Sequence, residues 1–312
     1  MIQKIKNNIK AKAYLALFAT STIWGTTWVA SKMTVAEVPA LQMSAIRQFI
    51  AGSIFISYFL FFKKMKWPSI TEFRWLTVMA LLMFVFANGF STWGVKYIPA
   101  GMAALIGTLY PLSVVIIEAL FYGKRNITPL TLTGLILGIS GVALVFYENA
   151  FQTKGENYFF GILVSLLAMI FWSLGTVFLI KNKRNINPYY GTGWQMFISS
   201  FILYALAWFN QPLMPLSKIS WYSYGLIFYL VLLGSILAFI AFIYTIRKLP
   251  APIASLYAYI NPLVAMMVGA LLLSEKITVI IIWGAIITLT GVFLVNYSVR
   301  RNAAKIITEA EI

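Results

Sequence analysis

The sequence predicts an all-α membrane protein of ten transmembrane helices, arranged as two inverted five-helix repeats with N-terminus and C-terminus both cytoplasmic. Three observations carry this prediction. The composition is too apolar for a water-facing shell, apolar runs of bilayer length follow one another along almost the whole chain, and the second half restates the pattern of the first. Of 312 residues, 61% are hydrophobic and 10% charged, against about 25% charged in ordinary soluble domains. A chain so poor in charge belongs in lipid.

A bilayer core takes about 20 apolar residues per helix. Runs of that length lie near 13–35, 41–62, 74–95, 100–121, 128–147, 158–180, 189–210, 222–246, 251–273 and 278–298. The first follows Lys4, Lys6, Lys10 and Lys12 and continues for a full membrane thickness, unlike the short apolar stretch of a cleaved secretory signal. The second carries Arg47, and the third opens at Arg74. The fourth and ninth each hold a central proline, Pro111 and Pro262. All ten are too long for barrel strands and lack period-two alternation.

The charge between the runs sets the orientation. With the N-terminus inside, the inner segments hold the first four lysines, then Lys63, Lys64, Lys66 and Arg74, Lys124 and Arg125, Lys181, Lys183 and Arg184, Arg247 and Lys248, and Arg300, Arg301 and Lys305. The outer segments hold only Lys32, Lys96, Lys154, Lys218 and Lys276, which is the positive-inside pattern. The net charge of +16 is thus an orientation signal, scattered between spans rather than gathered on a face that could bind nucleic acid.

The halves 1–150 and 151–312 repeat one another. "IPAGMAALIGTLYPL" from Ile98 lies over "LPAPIASLYAYINPL" from Leu249, pairing Pro99 with Pro250, Ala103 with Ala254 and Pro111 with Pro262. Downstream Gly134 meets Gly284, and "GVALV" from Gly141 meets "GVFLV" from Gly291; upstream Trp24 meets Trp172 and Arg47 meets Gln195. Five spans per half is an odd number, so the second copy enters the membrane inverted, and inverted repeats place a midplane binding site between them.

Cysteine, histidine and aspartate are absent, leaving eight glutamates as the whole acidic inventory. Thiolate and histidine metal sites, Ser-His-Asp triads and aspartate-rich metal motifs are all excluded, and no P-loop is present to take ATP. An enzyme acting on lipid or isoprenoid therefore lacks its chemistry, and no cofactor or metal is expected.

The ten-span pattern, Trp24-Gly25 in the first span, Arg47 early in the second, Tyr110-Pro111 and Asn261-Pro262, and "SEKIT" from Ser274 resemble the drug/metabolite transporter superfamily, in its EamA-type branch. The likeness covers nearly the whole chain, and the order of the motifs is its specific part. It implies a bacterial exporter of amino acids or other small metabolites, with a central cavity lined by the first, third, fourth, sixth, eighth and ninth helices. The first-half counterpart of Glu275 is Lys124, so the corner glutamate of the family pattern stands in one half only.

Within the spans, most of the ten tryptophans fall near helix ends as an interfacial belt, Trp28 and Trp194 included. Trp24 and Trp172 lie near the bilayer centre and are equivalent in the repeat; they pack helices together or wall a shared cavity able to stack on a ring or hold a cation. Thr20, Trp24, Thr27 and Ser31 share one helix stripe, and Asn88, Ser91 and Thr92 form another. Such stripes serve interhelical hydrogen bonding or a site; Asn88, with an amide to satisfy, is the stronger candidate. Each central proline frees a carbonyl, at Gly107 and Ala258, and Tyr257 lies one turn before Asn261. Arg47, deep in its span, meets carbonyls at helix ends or a substrate carboxylate.

The candidate substrate site is Trp24, Thr27, Arg47, Asn88, Tyr110, Trp172, Tyr257 and Asn261. The expected partners are a small-molecule substrate and the lipid bilayer of the cell (inner) membrane, in a monomer or homodimer. An importer or exchanger on the same scaffold is the alternative. Glu118, the sole carboxylate inside a span, sits beside Lys124 and Arg125 and is expected to stay ionised, so transport is expected to run by exchange or down the substrate's own gradient without an obligatory proton.

Overall fold

The computed structural model describes residues 2–123, 127–152, 157–182, 184–210 and 212–310, with side chains placed at 9–123, 127–148, 157–182, 184–210, 212–250 and 253–302. Among them every regular element is a helix. In chain order these are α1 (Ile2–Val35), α2 (Ala40–Phe62), α3 (Ile70–Gly94), α4 (Ala100–Tyr122), α5 (Pro129–Gln152), α6 (Tyr158–Lys181), α7 (Pro188–Asn210), α8 (Trp221–Lys248), α9 (Ala251–Ala254 then Tyr257–Leu273) and α10 (Val279–Ala310).

Seven of these, α2 to α6, α8 and α10, are long and apolar enough to cross a membrane, and the second part of α9 is a shorter apolar helix. α1 and α7 have the length but carry more polar residues. Those residues face protein: Thr20, Ser21, Ser31 and Thr34 of α1, and Ser199 and Ser200 of α7, are buried. A hydropathy window counts them against the helix, whereas the fold satisfies them on the backbone, as where the Ser21 hydroxyl donates to the Leu17 carbonyl at 2.7 Å.

Repeat-related helices pack against each other antiparallel. α5 meets α10 through glycines: a Cβ on Gly134 would lie 2.7 Å from the Gly291 carbonyl, and one on Gly141 would fall 2.6 Å from the Gly284 carbonyl. α2 meets α7 likewise, Gly52 against Phe197 and Gly193 against Phe55. Small residues let backbones approach where lipid supplies no hydrophobic drive between helices. The main core, with Val29, Met43, Leu105, Met196 and Leu230 all buried, draws on both halves.

Four local features depart from what the sequence predicts. α1 begins at Ile2 and α10 runs to Ala310, beyond the apolar runs, because backbone hydrogen bonds continue where hydropathy stops. α4 is interrupted at Thr108–Leu109, and Tyr110 starts the second piece with Pro111 next in its first turn, where the missing N–H is not needed. α9 breaks earlier than Pro262, at Ser255–Leu256, and Pro262 stands inside the second piece. Finally, α3 and α8 each carry a π-helical stretch in the same part of their half, Ala80–Gly89 and Leu230–Leu237. Such wide turns occur often at functional sites.

Candidate functional site: a cavity between the two repeats

A cavity of about 190 Å³ lies at the centre of the bundle, lined from α1, α2, α3, α4, α6, α8 and α9. All eight residues singled out from the sequence line it, as do Ser31, Ser91 and Thr92 of the two polar stripes and Gly107 and Ala258, whose carbonyls lose a partner to the prolines. Thr20, the remaining member of the first stripe, does not line it and donates to the Ala16 carbonyl. α2, absent from the lining that the resemblance implied, enters through Arg47.

The two central tryptophans differ. Trp24 is boxed by Phe239, Phe242 and Tyr257, with ring centroids 5.2, 5.0 and 5.6 Å away. Its Nε1 donates to the Gly234 carbonyl at 3.1 Å, in the π-helical stretch of α8. Among the described residues no ring packs on Trp172, which presents its surface to the cavity. Tyr110 and Tyr257 both line the cavity, Tyr110 directly after the interruption of α4 and Tyr257 directly after that of α9.

The polar side chains are held by a second layer. Ser199 donates to Gln48 Oε1, and Gln48 Nε2 donates to the Phe84 carbonyl at 3.2 Å and to Asn88 Oδ1 at 3.0 Å. Trp28 Nε1 donates to Asn261 Oδ1 at 3.0 Å. Arg47 is buried, with its Nε donating to the Ser235 hydroxyl at 2.8 Å, and among the described residues no carboxylate pairs with it. Thr27 and Thr92 donate to the Trp24 and Asn88 carbonyls.

Three contributors escaped the sequence reading. By sequence Trp28 belongs to the interfacial belt, although it stands one helical turn after Trp24 and so on the same stripe, a spacing that signals a shared face. Gln48 follows Arg47 directly, and nothing in the chain order predicts its contact with Asn88 across α2 and α3. Ser235 had no signal, because its role depends on α8 approaching α2. Glu118 pairs with Lys181 at 3.5 Å; Lys124 and Arg125, which the sequence sets beside it, lie outside the described residues.

A model of the EamA-like transporter family matches residues 11–147 and again 159–297. The chain belongs to this family. The two matched copies are the two repeats, and a family member with an apolar all-helical chain of this kind is a multi-pass membrane transporter. The EamA relatives include the uncharacterized transporter YoaV of Bacillus subtilis (strain 168), 24% identical over 93% of this chain and 99% of its own. The uncharacterized inner membrane transporter YedA of Escherichia coli (strain K12) is 27% identical over 84% of this chain and 83% of its own. A WAT1-related chloroplastic protein of Arabidopsis thaliana is 24% identical over 91% of this chain and 69% of its own. A solved crystal structure shares the fold at a TM-score of 0.65 and 15% identity, covering 93% of this chain and 99% of that one.

Proposed function

We propose that this EamA-family protein is a secondary transporter that exports an amino acid or a similar small organic metabolite across the cell membrane by alternating access. The observation that carries the reading is the central cavity, lined by residues of both repeats and by seven helices at once. A rocking of one half against the other would open such a cavity to each side in turn. Its volume of about 190 Å³ falls short of the roughly 300–1,000 Å³ of sites for drug-sized ligands and suits a small solute.

The antiparallel contacts of α5 with α10 and of α2 with α7 support an inverted pair of halves, 1–150 and 151–312. In this topology α1, α7 and α9 also cross, giving ten spans with both termini in the cytoplasm, as the basic residues require. Two measurements test the reading. Impermeant labelling of single cysteines should reach positions 36 and 217 from outside and position 65 only from inside; position 65 labelled from outside would overturn the topology. Inside-out vesicles loaded by the protein with a panel of labelled amino acids and metabolites should accumulate at least one of them beyond protein-free vesicles. Uptake of none, or hydrolysis or modification of the solute, would remove the exporter reading.

A further inference from the structure

The amide and guanidinium side chains of the cavity leave open polar atoms of one kind. Asn88 has its carbonyl oxygen occupied by Gln48 Nε2 at 3.0 Å, and Asn261 has its carbonyl oxygen occupied by Trp28 Nε1 at 3.0 Å. The orientation of Asn88 is set by a chain that runs one way only. The Phe84 carbonyl can only accept, so Gln48 turns its nitrogen to it at 3.2 Å and to Asn88 at 3.0 Å, and Asn88 must meet that nitrogen with oxygen. The indole of Trp28 is a donor only, so Asn261 likewise meets it with oxygen. Both amides are thereby left with their NH₂ groups, and both line the cavity.

Arg47 adds the same polarity with a full charge. Its Nε is held by Ser235 at 2.8 Å, which leaves the two terminal nitrogens of the guanidinium. Among the described residues none of those lining the cavity is acidic, so the guanidinium has no internal counter-charge. An unpaired charge in a protein interior is costly, and in a span it marks a pathway or a ligand. The Gly107 and Ala258 carbonyls and the hydroxyls of the lining add acceptors, but neutral ones, and do not supply the missing counter-charge. Thr27, Thr92, Thr108 and Ser165 give their protons to backbone carbonyls and offer only neutral lone pairs.

We infer that this cavity requires a carboxylate on its solute, bound through the Arg47 guanidinium with the Asn88 and Asn261 amide NH₂ groups as further donors. Guanidinium and carboxylate match in planar, two-point geometry. An ammonium on the same solute is tolerated, by the hydroxyl lone pairs and the open face of Trp172, but does not suffice. Amino acids and their 2-oxo acid counterparts therefore enter, and amines or amino-acid amides do not. This narrows the substrate class of the transporter proposed above and rests on that reading only for its physiological use.

The test uses three probes of one shape on the purified full chain in detergent: L-phenylalanine, phenylpyruvate and L-phenylalaninamide. Ligand-induced thermal stabilisation is measured for each, since a ligand that binds only the folded form raises stability with its concentration. Phenylalanine and phenylpyruvate should stabilise, the amide should not, and Arg47→Gln should weaken the two carboxylates roughly tenfold or more. Because Arg47→Gln could impair folding, Asn88→Asp serves as a second variant. It keeps the oxygen that Gln48 needs, exchanges the free donor for an anion in the cavity that Arg47 also lines, and should lose both carboxylates while admitting the amide. Stabilisation of the parent by the amide as much as by phenylalanine, by no carboxylate at all, or of Asn88→Asp by phenylpyruvate undiminished, overturns the inference. Carboxylates that bind through Arg47 yet are never moved by vesicles would instead sink the transporter reading and leave this one standing.

Discussion

The two halves build the same helices and cap them differently. α3 and α8 both start at a serine whose hydroxyl accepts from the backbone N–H three residues on, Ser69 from Glu72 at 3.3 Å and Ser220 from Ser223 at 3.1 Å. In α3 the carboxylate that completes the cap is its own: Glu72 accepts from the Ser69 N–H at 2.8 Å. In α8 the matching residue is Ser223, and the carboxylate comes from the other half. Glu37 accepts from the Ser220 N–H at 2.9 Å, from the Ser220 hydroxyl at 2.6 Å and from the Ser223 hydroxyl.

The corner after α9 repeats the lesson. The residues that close α4 and α9 both adopt the left-handed backbone, Gly123 at φ 62° and Ser274 at φ 54°. The next residue is Lys124 in one half and Glu275 in the other. Glu275 turns to the start of α4 and accepts from the Ala100 N–H at 2.7 Å, while Lys32 donates to the Val95 and Ile98 carbonyls alongside. A lysine cannot accept from N–H groups, so its corner cannot make this contact. A cap made within one helix is indifferent to how the halves sit. A cap borrowed from the other half breaks when they part, so the end of the bundle that holds Glu37 and Glu275, outside in the proposed topology, opens only with the loss of two carboxylate contacts.

The tryptophans offer the strongest way to break the comparison. Trp24→Ala removes a ring boxed on three sides and should cost about 3–5 kcal/mol of stability, read by thermal or denaturant unfolding. Trp172→Ala should leave folding nearly intact and weaken solute binding about tenfold, the value of a stacking or cation–π partner. Trp221→Ala and Trp283→Ala, at largely exposed positions, should do neither. Equal destabilisation by Trp24→Ala and Trp172→Ala would show that the halves use their central rings alike.

Next in size is the seal itself. With Ser91→Cys as reporter in this cysteine-free chain and the exposed Ser217→Cys as reference, Glu37→Gln together with Glu275→Gln should raise labelling from outside roughly tenfold. Adding Ser223→Glu should restore a cap to α8 and with it thermal stability, but not the seal. Unchanged labelling of the Gln pair, or a seal restored by Ser223→Glu, would mean that borrowed caps do not couple the halves.

Acidification sharpens the same point more gently. The Ser220 hydroxyl foremost, then the Ser223 hydroxyl and the Ser220 N–H, hold the Glu37 carboxyl below its ordinary value. A lowered value means that the charged cap is present at neutral pH and lost as pH falls through that lowered value. Referenced labelling of Ser91→Cys should therefore stay flat down to about pH 5 and rise only below the usual carboxylate range near pH 4. A rise centred near pH 6 would point to another group.

The smallest effect is expected at Glu118. Its ion pair with Lys181 is partly exposed, at 31% and 25%, and such pairs contribute about 0–1 kcal/mol. Glu118→Gln should leave stability nearly unchanged and leave liposome transport as indifferent to an imposed pH gradient as the parent. A parent that concentrates solute on a proton gradient, with a Gln variant that only equilibrates it, would make Glu118 the coupling site.

Much of this molecule was legible in its chain. Run lengths and basic clusters separate the helices because the bilayer imposes its thickness and charge asymmetry on any spanning segment, whatever the packing. The repeat is visible because Trp24 and Trp172, and Pro111 and Pro262, stand at matching places in the two halves of the chain. The same two signals marked the residues of the cavity, since a polar or proline residue deep in an apolar run must be satisfied by protein. What the chain could not decide were contacts between helices far apart in sequence. Trp28 reaches Asn261 only because α1 lies against α9, Ser235 holds Arg47 only because α8 approaches α2, and Gln48 orients Asn88 only where α2 meets α3. Whether Glu37 and Glu275 are loop charges or caps of distant helices was likewise settled by the fold. A carboxylate or an amide carries the same chemistry in any sequence, and which of its atoms is left for a ligand depends on the neighbours that tertiary structure brings to the others.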